Sequence, residues 1–524
     1  MLMTDRPTSE LLNRLPANIS DVLGPWAKSS PDKLAVVEST GTWTYAQLDA
    51  AVAETRDWLR DSGVRPGDRV MLVCENCRAF VAIFLALAGM DAWPVLANAR
   101  LSPPEIDAIR DHCGARRVIY MTSVSPLATQ HAKRHGAVIA EAAGLGMIGF
   151  GPLNETVDPD PIETSSTDRV AALIYTSGTT GLPKGVVLTH RNLLFIAAVS
   201  AQIRSLTPDD RLYGVLPMSH AVGLSVVLLG ALLSGSALYL SSRFDPVQAL
   251  KSLERDRITI LLGVPSMFAL LVEYANTKGL KSLKFPALRI ISSSGAPLQP
   301  AVKSAVEALL GMPLHNGYGV TECSPTVAQA RVDEPRSDLS VGRVLPGVEI
   351  VLMGKDGKLV PDGEVGELWV RGPNVAKGYY RAPEETAAAI SAEGWFNTRD
   401  LARLEAGNLF IVGRTKELIV RFGENVYPAE VEAVLNAHPS VVRSAVIGRN
   451  VQGLEGGEEV VAFVELSPGS PATTAELTDY AARNLAPYKR PSHFVLVDAM
   501  PVTPTGKVRK EELTKMAAFD PLSR

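Results

Sequence analysis

The sequence predicts an α/β fold: a large multi-lobed N-terminal domain over residues 1–414 and a small α+β C-terminal domain over residues 415–524. Three observations predict it. Apolar, strand-like runs alternate with capped, helix-periodic segments through the first part of the chain, which is the pattern of a largely parallel sheet. After about residue 340, short β-like runs punctuated by Gly and Pro take over, suggesting a small, mostly antiparallel, barrel-like β unit. From about Thr415 a new mixture of strand and helix begins, of about one hundred residues, the size of a separate domain. At 524 residues the chain is too long for one core, and about three or four folding units are expected.

The elements follow in order. Thr44 and Gln47 make a capping box before a helix with Leu48, Val52 and Leu59 on one face, and Gly63 stops it. Residues 70–74 read as a buried strand. Ser102 and Glu105 form a second capping box with Pro103 at the first helical position. Residues 118–120 are another short strand. Gly144, Gly146 and Gly149 spell a dinucleotide fingerprint, but that fingerprint must open a helix, and Gly151 and Pro152 follow at once. The segment therefore reads as a Gly-rich loop leading into a polar connector over 154–168. Residues 170–174 are an apolar strand. Residues 221–240 carry no charge and meet the length of a membrane span, yet Ser234, Gly235 and Ser236 interrupt them, so they read as a buried helix, turn and strand. Residues 348–353, 367–370 and 409–412 are strands of the β unit. In the last domain 431–435 is helical, 444–447 and 460–466 are strands, and 475–485 is a helix capped by Thr473 and Glu476.

Composition narrows the function classes. Hydrophobic residues are 46% and charged residues 21%, which excludes disordered, collagenous and disulfide-scaffold chains. Fifty-two basic against 56 acidic residues give a net charge of −4, with no basic excess to suggest nucleic acid or an anionic membrane. Cys74, Cys77, Cys113 and Cys323 are few for this length and suit a reducing, cytoplasmic compartment. Cys74 and Cys77 form a C-x-x-C without the second pair that zinc would require, and read as packing thiols. The first residues have no apolar core of a secretory signal.

The strongest chemical signal is the run from Tyr175 to Gly185, which follows the strand at 170–174. Thr176, Ser177, Gly178, Thr179, Thr180 and Lys184 combine close backbone approach, hydroxyl donors and a cation, as a phosphate-cradling loop requires. It is not a Walker A loop, because Lys184 follows Pro183 and precedes Gly185. This run resembles the signature of the adenylate-forming superfamily, which includes acyl-CoA synthetases, beetle luciferases and the adenylation domains of peptide synthetases. Further matches lie in order along most of the chain, at 43–48, 293–298, 316–322, 366–373, 394–400, 413–417 and 501–508. Stand-alone acyl-CoA ligases are the nearest type.

The resemblance implies ATP, Mg²⁺ and coenzyme A as cofactors, with residue roles to match. Glu322 would hold the magnesium, consistent with that ion's preference for one or two carboxylates plus phosphate oxygens. Thr321 would donate to the α-phosphate. Tyr318 would cover adenine, with Gly295, Ala296 and Pro297 opposite, while Asn316, Gly317 and Gly319 complete the nucleotide site. Asp400 and Arg414 would bind the ribose. Lys507 would bridge carboxylate and phosphate oxygens during adenylation, and then leave as the C-terminal domain turns about a hinge at Lys416 to bring Gly423 to the incoming thiol. His220 would gate an acyl pocket walled by Val222, Ala296, Gly317, Cys323 and Ser324. The spacing of Pro501, Gly506 and Lys507 suits a lysine acetyltransferase, which would silence adenylation by neutralising Lys507.

Two positions depart from the family pattern. Arg399 stands where the family commonly has Gly, and Val222 where it often has an aromatic residue. The expected activity is activation of an apolar monocarboxylate, aromatic or medium-chain, to acyl-AMP with release of pyrophosphate, followed by thioester formation on CoA. The pocket motifs show no Arg or Lys for a second carboxylate. The alternative acceptor is a separate carrier protein. An amino-acid adenylation domain is disfavoured because 212–240 contains no acidic residue for an α-ammonium. Retention of Glu322 and Lys507 disfavours a non-catalytic nucleotide sensor. A monomer or homodimer without a membrane span is expected.

Overall fold

The computed structural model describes residues 8–142, 144–165, 167–176, 184–421, 424–450, 458–502 and 508–519. Two large mixed sheets dominate. In the first, strands run in the order Arg343–Val344, Thr326–Gln329, Leu314–Gly319, Ile290–Ser293, Ile260–Gly263, Arg211–Gly214, Ala237–Leu240, Leu34–Glu38 and Gly41–Thr44. The six from Leu314–Gly319 to Leu34–Glu38 are parallel, and the flanking strands are antiparallel. In the second, Val170–Thr176, Trp93–Asn98, Arg69–Cys74 and Arg117–Tyr120 are parallel. Antiparallel strands extend it on both sides: Lys184–Thr189 and Gly378–Tyr379 on one, Met147–Phe150 and Val138–Glu141 on the other.

Strand periodicity explains the layering. Val70, Leu72 and Cys74 enter one core, while the alternate Met71 and Val73 enter another on the opposite face. In the first sheet Leu212, Ile260 and Leu262 enter the shared central core, and Tyr213, Leu261 and Ile291 face an outer one. Helices Arg78–Ala88 and His190–Ile203, apolar nearly all round, lie in that central core between the sheets. Strands covered on both faces tend to be continuously apolar, as residues 70–74, 170–174 and 260–262 are.

The capping boxes at Thr44/Gln47 and Ser102/Glu105 are formed. The Gly-rich run at 144–149 lies in a hairpin between Val138–Glu141 and Met147–Phe150, with Gly144 and Gly146 at positive φ and no helix following. The uncharged segment from 221 to 240 is a π-helix over Val222–Leu229, a short α-helix over Gly230–Ser234 and the strand Ala237–Leu240, all within the protein core. Among the described residues no helix is long and apolar enough to cross a membrane.

The β unit is an antiparallel sheet of Glu349–Met353, Val365–Arg371, Phe396–Glu405 and Asn408–Arg414. Its last strand also bonds the chain leading into the first sheet, through Val341 N to Leu409 O and Leu409 N to Gly342 O, both 2.8 Å. Beyond it, a hairpin of Ile419–Arg421 and Glu424–Val426 precedes a sheet of Val441–Asn450, Glu458–Leu466 and His493–Val497. Helices Pro428–Leu435, Thr474–Asn484 and Lys510–Phe519 cover this sheet. Its two apolar clusters are drawn entirely from residues after 418.

Candidate active site

Parallel strands end in loops at their carboxyl edge, the ordinary place for a ligand in an open α/β sheet. Here Ile290–Ser293 runs into the loop at 294–299, and Leu314–Gly319 runs into the short 3₁₀ turn Thr321–Cys323. Gly295 sits in that first loop at φ +84°, a conformation that favours glycine. Gly319 is required by contact: a Cβ there would lie 1.9 Å from the Pro325 carbonyl oxygen, across the turn that presents Thr321 and Glu322.

The strands that flank the expected phosphate loop come from the other sheet. Val170–Thr176 and Lys184–Thr189 are antiparallel neighbours, with Thr176 opposite Lys184. The loop therefore joins strand to strand, whereas a Walker loop joins strand to helix. Ser177, Gly178, Thr179 and Thr180 lie outside the described residues.

The segment 376–380 stitches the two sheets together. Ala376 N donates to the Glu322 carbonyl at 2.8 Å, Lys377 N to Val187 O at 3.0 Å, and Tyr380 N to Gly185 O at 2.7 Å. Between them the Tyr379 hydroxyl donates to Glu322 Oε1 at 2.9 Å, and the Lys184 ammonium lies 5.3 Å from the centre of the Tyr379 ring. Lys184 also faces Glu385 at 3.8 Å. Burial, and then the Glu322 charge, push the Tyr379 phenol up, so it stays a donor. Tyr379 thus couples the two motifs that the sequence had assigned separately to phosphate and magnesium. Its only sequence signal is the Gly378-Tyr379-Tyr380 run beyond the motif at 366–373.

The third sheet supplies Asp400 and Arg414, the groups expected to bind the ribose. Asp400 and Arg414 are cross-strand neighbours, and Arg414 Nε donates to Asp400 Oδ1 at 3.1 Å. The Tyr318 hydroxyl donates to Asp400 Oδ2, which fixes the ring. Burial and then Asp400 raise the Tyr318 phenol well above its usual range. Arg399, immediately before, adopts φ +58° within an irregularity of the strand pairing. That left-handed position explains the family's usual Gly there, and Asp400 keeps its place without it. Asn316 is buried; it donates to Leu339 O at 3.1 Å and accepts from Gly317 N at 3.0 Å, leaving one N–H and one lone pair for a ligand.

Around this framework lies a cavity of about 30 Å³, lined by Val222, Gly295, Gly317, Tyr318 and Gly319, together with Pro325, Arg204 and Gln329. Of the expected acyl-pocket residues, Val222 and Gly317 face it. His220 is half-buried just before the π-helix, with its carbonyl accepting from Leu224 N. Cys323 is packed in the central core, and the Ser324 carbonyl accepts from Ser225 Oγ at 2.7 Å. Ala296 and Pro297 stand on the loop beside Gly295 and do not line the cavity. Arg204 and Gln329 were not anticipated.

At the far end of the chain, Lys416 lies in a 3₁₀ turn, Thr415–Glu417, with its ammonium 3.6 Å from Glu511. Gly423 and Lys507 lie outside the described residues. Among the described residues no group of three or more His, Cys, Asp or Glu side chains could hold a metal. Glu322 keeps a second oxygen besides the one Tyr379 bonds, a donor set that fits magnesium arriving with phosphate oxygens rather than in an all-protein cage.

Two α/β sheets tied together through Tyr379 at the Glu322 turn, with a Tyr318–Asp400–Arg414 group completed by the third sheet, are the framework of an adenylate-forming enzyme. The chain belongs to the AMP-binding enzyme family: that family's model matches residues 24–380, and the model of the AMP-binding enzyme C-terminal domain matches 430–507. It is 36% identical over 502 residues to a feruloyl-CoA synthase of an Amycolatopsis species, covering 94% of this chain and 98% of that one. It is 32% identical over 495 residues to 4-coumarate–CoA ligase 2 of Nicotiana tabacum, covering 91% and 90%. Among solved structures it resembles the o-succinylbenzoate CoA synthetase of Bacillus subtilis in complex with ATP and magnesium ion, with a TM-score of 0.81, 30% identity, and 94% and 99% of the two chains covered.

Proposed function

We propose that this chain is an ATP-dependent carboxylic acid–CoA ligase that converts an aromatic acid to its acyl-AMP, releasing pyrophosphate, and then to its CoA thioester. The observation that carries it is the convergence of Lys184, Tyr379 and Glu322 beside the Tyr318–Asp400–Arg414 group, in a chain related over more than nine-tenths of its length to acid–CoA ligases.

A carboxylate is a poor electrophile, and adenylation replaces one oxygen with a good leaving group. Charge accumulates at the α-phosphate in the transition state, so fixed donors and cations there lower the barrier most. In this reading Tyr318 and the 294–299 loop hold adenine, and Asp400 and Arg414 hold the ribose. Thr321, Lys184 and the phosphate loop orient the phosphates. Glu322, steadied by the Tyr379 hydroxyl, holds magnesium, which neutralises phosphate charge. Lys507 bridges carboxylate and α-phosphate in the first half-reaction, and turning about Lys416 replaces it with the thiol site near Gly423 in the second.

A pocket for a whole acid is typically about 300–1,000 Å³, far above the 30 Å³ between Val222 and Tyr318. The acid therefore enters as the π-helix start and the Pro325 turn separate, with His220 at that edge as the gate.

The test is acid-dependent pyrophosphate release across a panel of acids, with and without CoA. Lys507→Ala is expected to abolish most of that release while sparing thioester formation from supplied acyl-AMP. Equal loss of both half-reactions would overturn the two-state role of Lys507. Release without any CoA-dependent product would point instead to a carrier-protein acceptor.

A further inference from the structure

Arg204 follows the buried helix His190–Ile203, in the central core between the two sheets, and is only 6% exposed. No carboxylate pairs with it among the described residues. One terminal nitrogen donates to the Ser200 carbonyl at 3.2 Å, and the other to Gln329 Oε1 at 2.9 Å. The Nε–H has no hydrogen-bond partner among the described residues. A guanidinium has five N–H donors, and two are used. Gln329 is itself held, its amide nitrogen donating to Ser292 Oγ and to Asn316 O, both at 3.1 Å. Gly317 makes room for it, since a Cβ there would stand 2.5 Å from Gln329 Oε1.

The surroundings favour an anion. Burial, and then the nearby Arg331, lower the Arg204 guanidinium to about 10, so it is still charged at neutral pH. His315 is pushed down by burial and then by Arg204 and Lys303, so it remains neutral. A buried, uncompensated cation with an orphaned donor is costly unless something acidic meets it. Arg204 lines the same cavity as Val222, Gly317 and Tyr318, and its about 30 Å³ is room for one or two water-sized groups, the size of a terminal oxygen group rather than an alkyl tail.

We propose that Arg204 is a specificity-determining residue, which receives an acceptor oxygen at the end of the acid opposite its reacting carboxyl. The inference rests on the acid–CoA ligase reading and deepens it: the substrate is not apolar to its tip. A second carboxylate and a phenolic hydroxyl share this chemistry, and the lack of any acidic partner favours the carboxylate.

The experiment measures kcat/KM for CoA-thioester formation with cinnamic acid, its 4-carboxy and 4-hydroxy derivatives, and octanoic acid. At least one 4-substituted acid is expected to exceed cinnamic acid tenfold or more, and whichever leads identifies the terminal group. Arg204→Leu should collapse that ratio by tenfold or more, mainly through KM, and Arg204→Lys should restore part of it. ATP binding checks that each variant is folded, and the wild-type ratio stands as evidence whether or not they fold. Equal or better turnover of cinnamic or octanoic acid by the wild-type enzyme overturns the inference while leaving the ligase reading intact. So does an Arg204→Leu variant that lowers every acid equally. Absence of acid-dependent pyrophosphate release and of thioester with every acid overturns both.

Discussion

Cys77 and Cys113 have thiols pushed up to about 12, in both cases by burial, which outweighs the lowering influence of the Phe80 N–H on Cys77 and of Arg69 on Cys113. Cys74 and Cys323 are likewise raised well above the usual thiol range, again by burial first. At pH 7 a thiol of that kind is ionised about once in 10⁵ molecules, too rarely to react or to bind zinc. The native protein should therefore stay unlabelled by a thiol reagent over minutes, and release four equivalents once denatured. His190 makes a second prediction. It is fully buried and accepts from Ile19 N at 3.2 Å; burial, and then Arg169, lower it to about 4. An unfolded histidine takes up its proton near 6.5, so stability is lost as the pH falls from there towards 4, by about 2 kcal/mol at pH 5. Urea midpoints at pH 7.5 and 5.0 should separate more for the wild type than for His190→Gln; parallel shifts would place the acid sensitivity elsewhere. Tyr379→Phe removes the hydroxyl that, among the described residues, joins Glu322 to the chain paired with Lys184–Thr189. A several-fold rise in the magnesium concentration needed for half-maximal pyrophosphate release is expected, with CoA transfer from supplied acyl-AMP little altered.

Strand and turn geometry decides which changes an element tolerates. Arg399 holds φ +58°, a position costing a side-chain-bearing residue about 1 kcal/mol relative to glycine. Arg399→Gly should therefore leave Asp400 in register and hold or raise stability by up to about 1 kcal/mol. A larger loss, seen in a urea melt, would mean that the guanidinium packs into the sheet. Elements of this local kind were legible in the sequence. The Thr44–Gln47 and Ser102–Glu105 caps, the strand at 70–74 and the interruption of the uncharged run at Gly235 all depend on neighbours a few residues away. Much of the site was legible for the same reason, since Tyr318, Glu322, Asp400 and Arg414 sit in short contiguous motifs. The rest depends on long-range register. Tyr379 reaches Glu322 across 57 positions, and Arg204 reaches Gln329 across 125. A lone Arg after a helix ordinarily reads as a solvated complement to the helix dipole, and only the packing of this helix end against the first sheet, at Gln329, buries this one.

At the scale of the whole molecule, the two apolar clusters beyond residue 418 share no member with the three of the sheets. Separate cores permit separate unfolding, and polar ties cross the junction between them, among them Thr415 Oγ1 to Glu367 Oε1 at 2.8 Å and Lys355 Nζ to Asn425 Oδ1 at 3.2 Å. Such a junction suits the turn proposed above for this unit between half-reactions. Lys510 fastens the C-terminal helix to the turn at Thr415–Glu417 and to the helix Pro428–Leu435, lying 2.9 Å from Glu417 and 2.8 Å from Glu432. Its side chain is 21% exposed, so the pair is mostly desolvated. Burial alone would lower this lysine, but Glu432 and Glu417 together raise it. Lys510→Met leaves two carboxylates facing each other without a cation, at a cost of about 2 kcal/mol, below the range for a fully buried pair because solvent reaches this one. Calorimetry should show two transitions, and the substitution should lower one of them by roughly 10 °C, the shift such a loss gives in a unit of about one hundred residues. The other transition, from the sheets that carry Lys184, Glu322 and Asp400, should stay where it is. A single transition that moves as one would show that the polar junction couples the cores, and that the proposed turn about Lys416 has to break more than the contacts seen there.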